Sequence, residues 1–223
     1  MINPVGYTIK HPDGSVGEPG IGYTYIMAGN GVFLESENPF IHAKIPVCME
    51  TIRGLGDETP IIELKKGKIP AVFFNLALDA ALSCREKEVY FSLTWKNGYH
   101  LYKTQQTQSQ GSVEYSVLEN TVMDVHSHGK MRASFSSQDD RDEQGFRLSC
   151  VVGNLYEQPQ VEVRMCAYGA FWSVPWEYIF EGSLNGITDK TLKEVEIAYD
   201  ICCKSEIQQN NPGRSWWHRL FGL

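Results

Sequence analysis

The stretch VHSHGKMRASFSSQDD, residues 125–140, decides how the rest of this sequence is interpreted. Its two histidines, His126 and His128, are two residues apart, so at the end of an extended strand both side chains leave the same face. Ser136 follows after seven intervening residues, and Asp139 follows after two more. Two imidazoles and one carboxylate leave a fourth tetrahedral position for water, which is how proteins hold a catalytic zinc ion. The spacing therefore predicts a metal site at His126, His128 and Asp139.

Each part of this pattern also has a purely structural interpretation. Alternate histidines on a strand are often ordinary surface residues. Ser136 could cap a helix, with Asp139 favoured at the positive end of the helix dipole. The cap is compatible with a metal site, because a helix that begins at Ser136 would hold Asp139 rigidly toward the histidines.

The sequence before this stretch predicts a helix followed by a strand. Pro70 suits the first helical position, and apolar residues recur after it at intervals of three and four, in a stripe formed by Ile69, Val72, Phe73, Leu76, Ala80 and Cys84. The next segment, residues 88–95, alternates as a strand whose apolar face carries Val89, Phe91, Leu93 and Trp95. Asn97-Gly98 then predicts a tight turn.

The two ends of the chain differ from this middle part. Ten of the 20 glycines and seven of the ten prolines fall within the first 70 residues, which predicts a loop-rich region of short strands over residues 1–68. Within it we expect a hairpin over residues 23–36 that turns at Asn30-Gly31, and an irregular connection over residues 54–68.

The C-terminal part, residues 182–223, predicts a helix and a tail. The helix is expected from about Thr188 to Cys203, because apolar residues recur there three and four apart. The tail RSWWHRLFGL, residues 214–223, combines aromatic and basic residues. Such a cluster either docks on the chain's own core or contacts a partner.

Further strands are predicted at residues 113–118, 121–125, 146–152 and 161–168. One helix followed mostly by strands favours an α+β or mixed α/β fold, in which a sheet is flanked by helices. We expect this domain to cover residues 69–181.

Composition excludes several classes of function. The net charge of −7 and a pI near 5.4 leave no basic surface to hold a phosphate backbone, so we expect no nucleic-acid ligand. The N-terminus lacks the pattern of a signal peptide, and the most apolar window, residues 71–82, is interrupted by Asn75 and Asp79. The six cysteines include no C-x-x-C pair. We therefore predict a cytoplasmic protein that does not contact membranes.

The central stretch resembles the JAMM motif of the JAB/MPN-domain zinc metalloproteases. The resemblance is carried by His126-Ser127-His128-Gly129 followed by Ser136 and Asp139. It extends to the bacterial lineage of protein A of the PRTRC system, which shares HSHG and the pattern of residues 135–142. The likeness covers residues 69–181 well, residues 1–68 loosely, and nothing beyond residue 182. Many members have proline where this chain has Gly129, a departure that predicts a looser turn after the histidines.

The resemblance implies a fold, an activity and a role for each residue. The family fold is a curved mixed sheet flanked by helices, with a cytidine-deaminase-like core. Its members hydrolyse isopeptide or peptide bonds at the C-terminus of ubiquitin-like proteins. By this resemblance one zinc ion per chain is held by His126, His128 and Asp139, and Ser136 stabilises the oxyanion. The partners implied are a ubiquitin-like protein or its conjugates, with E1-like or E2-like proteins encoded nearby.

The general base implied by the family is a glutamate upstream of the histidines. Glu88 precedes the alternating strand, in the place where the family carries this residue, whereas Glu86 lies in the polar connection after the helix. We predict that Glu88 is the base and that Glu86 is solvated. In the acidic run that contains Asp139, the other members, Asp140, Asp142 and Glu143, are expected to be solvated as well.

Two other classes compete with this interpretation. A zinc deaminase requires H-x-E and P-C-x-x-C, and neither occurs in this sequence. A non-catalytic interaction scaffold of the same fold would have lost the zinc ligands, whereas all four motif residues are present here. A peptidase that acts on short peptides or on sulfur-carrier conjugates remains an alternative to one that acts on ubiquitin-like proteins.

Overall fold

The computed structural model describes residues 3–104, 106–108, 113–115, 118–184 and 186–191. The helices in these residues are α1 (Ala71–Ser83), α2 (Ser137–Asp142) and α3 (Trp176–Ile179). The strands are β1 (Val5–His11), β2 (Gly14–Glu18), β3 (Tyr23–Ala28), β4 (Gly31–Glu37), β5 (Ile41–Cys48), β6 (Ile61–Leu64), β7 (Ile69–Pro70), β8 (Tyr90–Trp95), β9 (Tyr99–Tyr102), β10 (Gln106–Gln108), β11 (Val113–Tyr115), β12 (Thr121–Ser127), β13 (Phe146–Gly153), β14 (Gln160–Ala167), β15 (Ala170–Ser173), β16 (Phe180–Glu181) and β17 (Thr188–Asp189).

The N-terminal region forms a six-stranded sheet in the order β2-β1-β3-β4-β5-β6. It is therefore richer in strands than its glycine and proline content predicts, and β6 lies inside the segment expected to be irregular. Several glycines permit strand pairing here instead of interrupting it. A Cβ added at Gly6, within β1, would lie 1.9 Å from the backbone nitrogen of Gly20, so only glycine allows the two segments to approach.

The predicted hairpin is present, but its turn lies one residue earlier than expected. Ala28 pairs with Gly31, which makes Gly29 and Asn30 the two turn residues. Gly31 belongs to β4 with a φ of +145°, and a Cβ there would meet the Cys48 carbonyl oxygen at 2.2 Å. The glycine is thus required by strand packing instead of by the turn.

The second sheet is mixed and runs in the order β15-β14-β13-β12-β8-β9, with β17 paired to β14. Strand β12 is parallel to β13 and antiparallel to β8. Side chains alternate along β12, so that Met123 and Val125 belong to the apolar core while Asp124 and His126 lie on the opposite face. The sheet therefore has an apolar face and a polar face, and the metal-site histidines lie toward the polar one.

Helix α1 packs into the apolar core through a stripe that overlaps only in part with the one predicted. Phe74, Ala77, Leu78 and Ala81 are its buried residues, whereas Val72 and Leu76 are more than half exposed. The prediction was right for Ile69, which is fully buried, and for Phe73, Ala80 and Cys84, which pack against the core. It was wrong for Val72 and Leu76, because almost every position of this helix is apolar and several stripes share the same spacing. The predicted apolar face of β8 is confirmed, since Val89, Phe91 and Leu93 all belong to the core.

The two sheets share one hydrophobic core. Leu34 and Ile45 of the N-terminal sheet belong to the same buried cluster as Leu148 and Met165 of the second sheet. The ring of Tyr23 in β3 also stacks on the ring of Tyr168, in the turn between β14 and β15, with centroids 4.5 Å apart. A mixed α/β fold with few helices is confirmed, and a second sheet, besides helix α1, contributes to the core. The cytidine-deaminase-like core and the domain boundaries at residues 68 and 181 remain predictions.

The predicted C-terminal helix lies mostly outside the described residues, as does the aromatic tail. Its expected first residues, Thr188 and Asp189, form strand β17 instead, and the helical conformation begins at Lys190. Asp189 accepts hydrogen bonds from the backbone N–H groups of Thr191 and Trp176 at 2.9 and 2.8 Å. The carboxylate thus caps the turn that follows the strand. None of the helices within the described residues has the length and apolar character needed to cross a membrane.

Candidate metal centre

His126 and His128 converge at the end of β12. His126 is the last residue but one of the strand, and His128 directly follows the strand. Both are buried, and their Nε2 atoms lie 3.1 Å apart. The backbone N–H of His128 donates to the Val152 carbonyl oxygen at 2.8 Å. The pairing with β13 thus fixes the backbone of His128 beyond the end of the strand.

Asp139 reaches the same point from α2. Its Oδ1 lies 3.4 Å from His126 Nε2, and its Oδ2 lies 3.7 Å from His128 Nε2. Ser136 is the N-cap of the helix: its Oγ accepts from the backbone N–H groups of Gln138 and Asp139, while Asp139 Oδ2 accepts from the N–H of Ser136 at 2.6 Å. This is a capping box, formed here with aspartate. The same capping box fixes the position of Asp139 beside the histidines.

The three side chains fit a metal ion in both chemistry and spacing. One ligand atom from each of them can be chosen so that all lie within 4.8 Å of one another. Ligand atoms about 2.0–2.2 Å from a tetrahedral zinc ion are themselves roughly 3.3–3.6 Å apart. The two Nε2 atoms are 3.1 Å apart, and Asp139 lies 3.4 Å from His126 through Oδ1 and 3.7 Å from His128 through Oδ2, separations around that range. Two imidazoles and one carboxylate are a donor set that zinc prefers.

The protonation states suit metal binding at neutral pH. Burial, together with the neighbouring His126, lowers the pKa of His128 to about 4, so its imidazole is neutral. Burial alone would raise the pKa of Asp139, but His126 and the hydrogen bonds with Ser136 bring it below the ordinary value. A neutral imidazole and an ionised carboxylate are the forms that bind metal ions.

Glu88 lies next to this group, two residues before the start of β8. The Val89 N–H donates to Ser127 Oγ at 3.1 Å, and the Ser127 N–H donates to the Val89 carbonyl oxygen at 3.0 Å. These two bonds fix the backbone beside Glu88 next to the end of β12. The Glu88 side chain is buried, and burial together with the negative charge of Asp139 raises its pKa to about 7. Glu86, in contrast, is exposed.

The turn after His128 uses the conformational freedom of Gly129 and is held by backbone hydrogen bonds. Gly129 has a φ of +52°, a conformation that proline cannot adopt. The Met131 N–H donates to the His128 carbonyl oxygen at 2.9 Å, and the Leu155 N–H donates to the Gly129 carbonyl oxygen at 2.9 Å.

Beside this turn is a cavity of about 410 Å³, lined by Arg85, Glu86, His128, Gly129, Lys130, Met131 and Tyr156. Solvent and small molecules can therefore come close to His128.

Sequence reasoning missed two charged residues behind the histidines. Glu143, expected to be solvated, is 1% exposed, and Arg164, to which no role was assigned, is 5% exposed. Their ion pair is 2.8 Å long. The available signals were weak: Glu143 is four residues after Asp139 and so on the same side of a helix, and Arg164 alternates with apolar residues in β14. The expectation that Glu143 is solvated was wrong, because Arg164 compensates for the burial of its charge.

Comparison with known proteins agrees with this geometry. Residues 81–167 match the family model described as prokaryotic homologs of the JAB domain. This segment contains both histidines, Ser136, Asp139 and Glu88. The match supports a JAB/MPN-type domain here, and it is compatible both with a JAMM-type peptidase and with a scaffold. A search of curated proteins found no match.

Proposed function

We propose that this protein is a zinc-dependent isopeptidase or peptidase of the JAMM type. Its substrate would be the bond that follows the C-terminal tail of a ubiquitin-like protein or its precursor. The observation that carries the proposal is the convergence of His126, His128 and Asp139, with the buried Glu88 beside them. A scaffold has no need for buried charged groups that cost folding free energy.

Each residue has a defined part in this chemistry. His126, His128 and Asp139 would hold one zinc ion, which supplies Lewis acidity that activates water and polarises the substrate carbonyl group. Glu88 would accept the proton of the attacking water and pass it to the leaving amine. A carboxyl group whose pKa is near 7 suits both the acceptance and the release of a proton.

Ser136 would stabilise the negative oxygen that develops on the substrate. Its Oγ accepts two backbone hydrogen bonds at 3.2 and 3.3 Å, and its hydroxyl proton, which interacts with the Asp139 carboxylate in this structure, would turn to the substrate oxygen. The residue is exposed at the start of α2, on the same turn as Asp139. Loss of a single oxyanion donor in other enzymes costs roughly 3–4 kcal/mol of transition-state stabilisation.

Strand β9 offers a place for an extended substrate tail. Among the described residues it is the edge strand of the sheet, and its side chains alternate between partly buried and exposed. Its last residue, Tyr102, pairs with Ser92 near the start of β8, so a peptide along β9 would run toward the end of the sheet where Glu88 lies. Addition of a strand would supply backbone hydrogen bonds, and alternate side chains would supply specificity. E1-like or E2-like proteins encoded nearby would be the natural partners of such an enzyme.

The proposal is tested by incubating zinc-loaded protein with a ubiquitin-like protein whose C-terminal tail is joined to a second protein. Short peptides with the same tail sequence serve as a parallel substrate. We expect cleavage after the tail, located by mass spectrometry, and its loss on chelation of zinc. Cleavage of short peptides alone would contradict the assignment to ubiquitin-like substrates, and no cleavage of either would contradict the peptidase.

Replacement of Glu88 tests the assigned base. Glu88→Gln is expected to keep the fold and the zinc but to lower turnover by roughly 10²-fold or more, the usual contribution of a general base. Glu119→Gln, in the exposed turn before β12, is a matched control that should keep wild-type turnover. Glu86→Gln should change KM at most, since Glu86 is exposed and lines the cavity beside His128. Equal turnover of the Glu88 and Glu119 variants would show that the base is another residue.

A further inference from the structure

The end of helix α2 is attached to the polar face of the sheet by a buried ion pair. Glu143 caps the C-terminus of the helix, and its N–H donates to the Asp139 carbonyl oxygen at 2.8 Å. One helical turn therefore connects the backbone of the candidate metal ligand to Glu143. Arg164 of β14 donates to Glu143 Oε2 from Nε at 3.1 Å and from Nη2 at 2.8 Å.

Arg164 is held from several sides. Its Nη1 donates to Asp140 Oδ1 at 2.6 Å. Its guanidinium carbon lies 3.8 Å from the centre of the Phe135 ring and 4.0 Å from the centre of the Phe171 ring. A guanidinium that lies between two aromatic rings and donates hydrogen bonds to two carboxylates has little freedom to move. Arg164 thus joins the loop before α2, the helix itself and strand β15.

The other oxygen of Glu143 is directed toward the candidate metal site. Ser149 Oγ donates to Glu143 Oε1 at 2.5 Å, and the same Oε1 lies 3.8 Å from His126 Nδ1. Nδ1 is the ring nitrogen of His126 that does not face His128 and Asp139, since Nε2 does so. At 3.8 Å the two atoms are close, but farther apart than in a hydrogen bond. Each carboxylate oxygen accepts about two hydrogen bonds, so Oε1 has capacity for a donor besides Ser149.

We propose that Glu143, held by Arg164 and Ser149, is the positioning residue of the metal centre. When His126 binds the metal, its Nδ1–H would close the remaining distance and donate to Glu143, which would keep the lone pair of Nε2 directed at the metal. This inference rests on the proposed function, because it requires that His126 bind a metal ion. Outer carboxylates that accept from metal-bound histidines fix the ring orientation, and their loss typically costs 10–100-fold in metal affinity.

A purely structural role for the pair makes a different prediction. If Glu143 only attaches α2 to the sheet, its loss lowers the melting temperature, and zinc affinity changes no more than in another variant with the same loss of stability. Asp140→Asn supplies that comparison, because Asp140 pairs with the same arginine but is half exposed and has no contact with His126 among the described residues. Both variants retain the shape of the side chain.

The experiment measures zinc affinity by competition with a chelator for the unmodified protein, Glu143→Gln and Asp140→Asn. Cobalt(II) spectra and metal-free melting temperatures are recorded for all three. We expect Glu143→Gln to bind zinc at least 10-fold more weakly, with an altered cobalt spectrum, and Asp140→Asn to stay within about threefold. Because glutamine could still accept one hydrogen bond, Glu143→Met, which has a similar length and no acceptor oxygen, is the second variant and should lose at least as much affinity.

The possible failures can be told apart. Equal zinc affinity of the unmodified protein, Glu143→Gln and Glu143→Met, with zinc bound in all, overturns the positioning role and leaves the proposed function intact. Equal losses of zinc affinity in the Asp140 and Glu143 variants also overturn the positioning role. The loss would then come from weaker attachment of the helix to the sheet. If the unmodified protein itself fails to bind zinc, the positioning role and the proposed function are both overturned.

Discussion

The two faces of the seven-stranded sheet are built by the same strands but have opposite chemistry. On one face lie Val125, Leu148 and Met165, which belong to the buried hydrophobic core. On the other lie His126 and Arg164, both also buried. Burial of an aliphatic side chain contributes about 1.5–3 kcal/mol to stability, whereas a buried charge costs stability unless it is paired. The comparison indicates that one face holds the fold together and that the other is retained for chemistry.

The largest effect is expected on the polar face. His128→Ala should reduce bound zinc from about one equivalent to nearly none and remove all peptidase activity, because two of three ligands do not hold the ion. The metal-free variant should melt within a few degrees of the metal-free unmodified protein. Zinc content and melting curves measure both effects.

His11→Ala, in the N-terminal sheet, is the control and should keep both zinc and activity. A His128→Ala protein that retains a full equivalent of zinc would break the distinction between the faces.

The opposite face should respond in the opposite way. Leu148→Ala removes a fully buried side chain from the core and should cost about 2–5 kcal/mol of unfolding free energy. Each folded molecule should still bind one zinc ion, since Leu148 lies on the other side of the sheet from the histidines. Denaturant titration measures the unfolding free energy, and zinc analysis of the folded fraction measures the bound zinc. Loss of zinc from protein that is still folded would show that the two faces are coupled.

A smaller effect is expected from the pH dependence of the metal-free protein. The pKa of Glu88 is raised to about 7 from an ordinary value of 4.5. Between these values the folded state holds a proton that the unfolded state has lost, so this group lowers stability as pH rises from about 4.5 to 7. Glu88→Gln removes the dependence. The variant should therefore gain melting temperature relative to the unmodified protein on going from pH 5 to pH 8.

His128 contributes to the same pH range but cancels in this difference. Its pKa is lowered from 6.5 to about 4, so it adds stability as pH rises through that window in both proteins. Chelator-treated samples at pH 5 and pH 8 give the four melting temperatures required. A melting-temperature difference between variant and unmodified protein that is the same at pH 5 and pH 8 would contradict the raised pKa of Glu88.

The sequence allowed the centre of the site to be predicted better than its surroundings. The spacing of His126, His128 and Asp139 was sufficient because a strand end and a helix cap each fix side-chain direction locally. The core stripe of α1 was not predictable, since its apolar residues fit several faces equally well. Glu143 and Arg164 were missed because their partnership depends on tertiary contacts between α2 and β14. The six-stranded N-terminal sheet was also missed, because glycine allows close strand approach as well as turns.

The central claim is that one zinc ion is held by His126, His128 and Asp139. Its most direct test is elemental analysis of protein purified without a histidine tag and dialysed after zinc supplementation. The account predicts about one zinc per chain, lost when Asp139 is replaced by Asn, because such sites bind zinc strongly. Less than about 0.2 equivalents in the unmodified protein, or a full equivalent in Asp139→Asn, would contradict it.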